Sequence, residues 1–182
     1  MSDVVDRFRG LAESFAQRVE GTPDDGWDAD SPCEGWKARD VVFHVVNNHR
    51  RMAAAFAGAE AEPLPADADP KAAWRESYAD LMDKLADPSN LTKTIPGPMG
   101  PMPAEMLIGR LGANDVLVHT WDLARATGQD EQLDQDAVAH AFEGLKRVEA
   151  MIRQPGVFGP AVEPPADADL QTQFLCFLGR KV

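Results

Sequence analysis

The sequence is poor in the residues that mark several large functional classes. It has two cysteines in 182 residues, Cys33 and Cys176, far apart and with no framework around them. That excludes a disulfide-stapled scaffold and makes a reduced, cytoplasmic chain the default. Basic residues are in deficit, with 18 Lys plus Arg against 30 Asp plus Glu and a formal charge of −12. Nucleic acid and anionic membrane surfaces are therefore excluded as partners, because neither offers a charge match. No apolar run approaches the length of a membrane span, and the N-terminus lacks the basic-then-apolar plan of a signal peptide. Histidine is scarce too, with four in the chain, so the position of each is informative.

What the sequence does have is helical periodicity. Its length suits one domain with a real core, and we read 1–182 as a single helical bundle, with a core over 2–153 and a tail over 154–182 packing on it. Residues 2–20 carry Val4, Val5, Phe8, Leu11, Phe15 and Val19 at helical spacing. Residues 21–33 form a loop, since Gly, Pro, four Asp and Ser-Pro break any period. A second helix runs from 36 or 37 to about 57, with Val41, Val42, Val45, Val46, Met52 and Phe56 on its buried side. After a solvated connection over 58–70, a third covers 71–86 with Trp74, Tyr78, Leu81, Met82 and Leu85 as its apolar positions.

The stretch 91–103 holds four prolines and two glycines in thirteen residues, a density of missing N–H groups that no helix survives. A short extended segment at 91–95 and a turn are expected there. A fourth helix continues from Pro103 to Thr127, and Gly128 suits the position just past its end. Gly109 and Gly112 weaken this helix intrinsically and imply close packing against a neighbouring backbone. A fifth helix spans 134–153, and a short apolar one over 169–178 ends at Gly179. The fold class is all-α, long helices joined by loops as in a bundle.

The chemistry-bearing residues concentrate in the fourth helix. Asp115 and His119 are four apart and rise from one face, and Asp122 returns to nearly the same stripe. Polar groups directed into a bundle interior are costly unless something satisfies them. A divalent cation would do so, and so would ordinary hydrogen bonds; the spacing leaves both open. His44, flanked by Phe43 and Val45 in the second helix, offers a third ligand from a facing helix. Three protein ligands, His44, Asp115 and His119, leave a position for water, the arrangement of a reactive site. The same two-His, one-carboxylate set also suits iron.

Around this set, Asp122 reads as a salt-bridge partner of Arg125 at i+3, or as the acceptor that fixes an imidazole tautomer. Trp36 and Trp121 read as core or pocket-wall aromatics. His49 is about 140° round the helix from His44 and points elsewhere. His140 has no companion at ligand spacing and reads as structural or surface. No cation or base is identifiable near Cys33, which reads as a packing cysteine.

Three stretches, in order, carry a family resemblance: Ser31-Pro-Cys-Glu-Gly-Trp36 running into Arg39-Asp-Val-Val-Phe-His44; Asp115 to Gly128; and Pro155 to Val162 followed by Phe177-Leu-Gly-Arg180. The chain resembles the DinB-like superfamily, and within it the metal-binding N-terminal domain of mycothiol-dependent maleylpyruvate isomerase and its small actinobacterial relatives. The resemblance implies a bundle of four main helices enclosing a divalent metal at one end. His44 is then the first ligand, Asp115 stands where the family has Glu or Asp, and His119 is the last. Zinc is the foremost metal, with nickel, manganese and iron as others. The resemblance further implies a low-molecular-weight thiol such as mycothiol as cosubstrate, its thiolate bound by the metal, and transfer to or isomerisation of a small electrophilic substrate. A non-catalytic metal- or ligand-binding bundle, stress-linked or dimerising, is the second reading. The isomerase carries a further C-terminal domain that helps complete its active site. With the sequence ending at Val182, a thiol-dependent relative is expected rather than maleylpyruvate isomerisation itself. Lys37 replaces the small hydroxyl residue usual after the Trp, so a different helix cap is expected. A homodimer through a helical face is expected, with the face left open.

Overall fold

Four long helices build the core, and the apolar stripes their spacing implies are buried save for Val4, Phe56, Tyr78 and Met82, which are partly buried against its edge. In the computed structural model, which describes residues 3–65, 67–97, 100–153 and 158–182, α1 (Asp3–Gly21) buries Val5, Phe8, Leu11, Phe15 and Val19. Helix α2 (Ala38–Phe56) buries Val41, Val42, Val45, Val46 and Met52, and with them His49. Helix α3 (Pro70–Leu85) contributes Trp74, Leu81 and Leu85. Expectations that touch Ser2, the turn at 98–99 and the tail motif at 154–157 lie outside the described residues.

Local chemistry sets the helix starts. The Asp69 side chain accepts from the Ala72 N–H at 2.8 Å, with Pro70 behind it in the first turn. At α2 the expected difference in cap is present. Lys37 has no side-chain acceptor, and the Asp40 carboxylate instead reaches back to the Lys37 N–H at 2.8 Å.

The segment after α3 differs from expectation in detail. Pro88–Leu91 forms a short helix, α4, started by Asp87, whose carboxylate accepts from the Ser89 N–H. The extended segment is confined to β1 (Thr94–Ile95), paired antiparallel with β2 (Met102–Pro103) in the register Thr94–Pro103 and Ile95–Met102. The Asp-Pro pair at 87–88 is itself a helix-start signal, which the proline-rich stretch that follows obscured.

The fourth helix expected from the sequence is continuous in space but changes pitch. It begins as α5 (Ala104–Met106), widens into π-type turns over Leu107–Gly112, and continues as α6 (Ala113–Thr127). A Cβ on Gly109 would lie 2.9 Å from Val4 Cγ1, so α1 crosses closely here, but it is a side chain and not the expected backbone that comes close, and at Gly112 the nearest atom, Phe8 Cε2, stands at an ordinary 3.5 Å. The fifth helix is interrupted. Val148 leaves helical geometry at φ −120°, dividing α7 (Gln135–Lys146) from α8 (Glu149–Ile152). The last helix, α9 (Leu170–Phe177), stops at Gly179 with φ +85°.

Around the bundle α1 neighbours α3 and α6, and α2 neighbours the same two. Helix α7 lies against α6, and α9 lies against α7. No helix among the described residues is long and apolar enough to cross a membrane.

Candidate metal centre

Because α2 and α6 are neighbours, side chains from their facing stripes meet. His44 Nε2 lies 3.0 Å from Asp115 Oδ1, and His119 Nε2 lies 3.5 Å from the same oxygen. The two imidazole rings are edge to face with centroids 4.8 Å apart. All three donor atoms fall within 4.8 Å of one another. Ligands about 2.0–2.2 Å from a tetrahedral zinc stand roughly 3.3–3.6 Å from each other, so this nitrogen, oxygen and nitrogen set fits a first-row divalent ion.

Asn48, one turn after His44, completes the cluster. Its Nδ2 donates to Asp115 Oδ2 at 3.0 Å and lies 3.1 Å from His44 Nε2. His44 Nε2 thus faces a carboxylate acceptor and an amide donor together, and no single tautomer satisfies both. The His44 and Asp115 side chains retain 34% and 23% exposure against 9% for His119. The set therefore opens to solvent on its α2 side. Trp36 forms a wall, its ring 5.0 Å from that of His44 and 6.0 Å from that of His119.

His119 is held from behind. Its Nδ1–H donates to Asp122 Oδ2 at 2.9 Å, which leaves Nε2 directed at Asp115. Asp122 is fully buried, and its partner is not Arg125. Arg180 donates Nη2–H to Oδ2 at 2.7 Å and Nε–H to Oδ1 at 3.1 Å. Arg125 instead pairs with Glu131 at 2.8 Å and lies over the Trp121 ring. The reason is directional: Asp122 points inward, while Arg125 sits on the exposed side of α6.

Cys33 also departs from expectation. Its thiol donates to Asp122 Oδ2 at 3.4 Å and accepts from Arg180 Nη2 at 3.4 Å. A cation and an imidazole do stand beside this thiol, but they come from elements remote in sequence. Cys33, His119 and Asp122 form a second donor group, their ligand atoms within 4.8 Å of one another. Its cation position is already served by the Arg180 guanidinium, which favours the group at His44, Asp115 and His119.

Electrostatics follow the geometry. Burial pushes the Asp115 carboxyl upward, but hydrogen bonds from His119 and His44 outweigh it and hold the group well below the usual carboxylate range. Asp122 feels the same opposition, and His119 and Arg180 bring it to about 2. Burial disfavours a charged His119, yet the bonds to Asp115, Asp122 and Cys33 raise it well above an ordinary histidine.

Trp121 is buried in the bundle, and its Nε1–H has no hydrogen-bond partner among the described residues. His49 points away from the site into the core, between Phe8 and Trp74. His140 is exposed, beside a groove between α1 and α7. Sequence reasoning missed Asn48, although its i+4 spacing from His44 was a usable signal. It also missed the role of Arg180, which stands in the last of the resembling stretches but whose partner, Asp122, lies 58 residues away.

A sequence model of the family described as the mycothiol maleylpyruvate isomerase N-terminal domain matches residues 8–124. The chain belongs to this family. Two uncharacterized proteins of Mycobacterium tuberculosis, from strains CDC 1551 and ATCC 25618, are each 33% identical over 181 residues, covering 93% of either chain. Among solved structures, a histidine-to-alanine mutant of the mycothiol-dependent maleylpyruvate isomerase superposes with a TM-score of 0.60 at 14% identity. That match covers 76% of this chain and 67% of the isomerase, and it shows a shared fold. Membership of the maleylpyruvate isomerase N-terminal family accords with the bundle of α1, α2, α3 and α6. The matched residues contain every side chain of the His44, Asp115 and His119 cluster and stop short of Arg180.

Proposed function

We propose that this member of the family is a divalent-metal protein, with His44, Asp115 and His119 as ligands and zinc as the metal. We further propose that it activates a low-molecular-weight thiol of the mycothiol type for S-transfer to, or isomerisation of, a small electrophile. The observation that carries the reading is the convergence of two imidazole Nε2 atoms on one carboxylate oxygen, 3.0 and 3.5 Å away. A cation held there acidifies a coordinated thiol or water by its own charge. The chain's residues supply the rest. Asn48 restrains the Asp115 carboxylate, Asp122 orients His119, and Trp36 walls the solvent-facing edge where a thiol would enter.

A second reading, a metal-binding module without catalysis, is favoured by one observation. On the Trp121 and Asp122 side the site is plugged: both residues are buried, and Arg180 closes on the carboxylate. Turnover distinguishes the two. Protein purified without chelator is analysed for metal, then assayed for loss of an electrophile with a small thiol, with and without its metal. Metal-dependent turnover supports the enzyme. Stoichiometric metal with no rate above the metal-free form leaves the binding module.

A further inference from the structure

We propose that Arg180 is a positioning residue for His119, acting through Asp122 from the far end of the chain. The proposal rests on the reading of His44, Asp115 and His119 as a metal site, and it adds a residue outside the stretch that the family model matches.

The delivery of Arg180 is built into the end of α9. The Arg180 N–H donates to Leu175 O and the Gly179 N–H to Cys176 O, both at 2.9 Å, which is the paired closure of a helix through a left-handed residue. Gly179 has φ +85°, and a Cβ there would lie 2.9 Å from the Pro160 carbonyl oxygen, so only glycine fits without strain. Arg153 secures the same turn by donating to Phe177 O at 2.7 Å and Gly159 O at 2.9 Å. With its backbone so fixed, Arg180 extends its side chain back over α6.

Its guanidinium is almost fully used on arrival. Nε and Nη2 make the forked pair with Asp122, Nη2 also reaches Cys33 Sγ, and Nη1 donates to Leu178 O at 3.1 Å. A planar fork fixes the rotation of a carboxylate, which a point charge does not. Asp122 Oδ2 is thereby set where it accepts from His119 Nδ1, and the imidazole presents Nε2 to Asp115. Remove the fork, and a buried carboxylate with one strong partner left is free to turn. The ring that depends on it then loses its reference.

The test is zinc affinity measured by competition with a chelator on wild type, Arg180→Ala and Arg180→Lys, together with NMR of the His119 Nδ1–H in the metal-free proteins. The expected result is a roughly 10–100-fold loss of affinity in R180A, the range typical of outer-shell partners. Low-millimolar methylguanidinium should recover most of it, and R180K should recover only part. The His119 Nδ1–H signal should be protected from water exchange in wild type and lost in R180A. Wild-type affinity in R180A, or a loss in folded R180A that methylguanidinium leaves unchanged, overturns the proposal in favour of plain tail anchoring. If R180A does not fold, R180K decides, and wild-type affinity there overturns it. Wild-type protein that binds no zinc ends the metal reading instead. The Nδ1–H signal then decides the role of Arg180 separately, and protection equal to wild type in the variants overturns it.

Discussion

Asp115 Oδ1 lies 3.0 Å from His44 Nε2, although 71 residues separate them in the chain. The contact exists because α2 and α6 are neighbours in the bundle and each turns polar residues toward the other, His44 and Asn48 from α2 and Asp115 and His119 from α6. Two consequences follow for experiment: ligand loss at either position should be felt by the metal, and metal binding should be felt by the fold.

Purified wild-type protein is expected to bind zinc stoichiometrically, and H44A and D115A to lose more affinity than the roughly 10–100-fold typical of an outer-shell change. Because a ligand that binds only the folded state stabilises it, free zinc at a hundred-fold excess over Kd should add about 2.7 kcal/mol. Thermal melts with zinc and then with excess chelator check this. A melting temperature indifferent to both would remove His44 and Asp115 from the ligand set.

Cys33→Ser should retain zinc affinity within a few-fold, since the thiol is held by Asp122 and Arg180 and lies behind His119. A chelator competition assay reads this. A loss in C33S matching that of H44A would move the ligand role to the group containing Cys33.

His49 makes stability depend on pH. Burial, opposed by the Asp115 charge, lowers its pKa from the ordinary 6.5 to about 4, and neither ring nitrogen has a hydrogen-bond partner among the described residues. Between pH 4 and 6.5 the unfolded chain therefore binds a proton that the native chain refuses, and stability rises with pH across that window. The full effect is on the order of 3 kcal/mol, present above pH 6.5 and lost as pH falls toward 4. Urea unfolding from pH 4 to 8 should show the slope in wild type and flatten it in His49→Leu. The same variant should be as stable as wild type or more so at pH 7, because it also removes two unsatisfied polar atoms.

Gly179→Ala places a side chain at φ +85° against the Pro160 carbonyl. Left-handed geometry costs an L residue about 1–2 kcal/mol before the contact is counted. Denaturant unfolding should show at least that loss. Zinc affinity should fall with it, because the turn that aims Arg180 is displaced.

The four long helices, their buried faces and the close crossing at Gly109 were legible in the sequence because helical periodicity and small-residue packing are local signals. The break at Val148 was not, since an apolar residue at helical spacing carries no mark of leaving the helix. The His44, Asp115 and His119 grouping could be anticipated from spacing on two helices and from the resemblance. Asn48 could have been added on the same i+4 logic that paired Asp115 with His119.

What the sequence alone determined is which residues share a helix face, because a 3.6-residue period is written along the chain. What the tertiary structure decided is which faces meet and which charge finds which. Arg125 is three residues from Asp122 but sits on the solvent side of α6, while Arg180 is 58 residues away and reaches the buried carboxylate. Cys33 gained its imidazole and guanidinium neighbours in the same way. A buried carboxylate takes the cation that can reach it without crossing the helix surface, and proximity along the chain does not measure that.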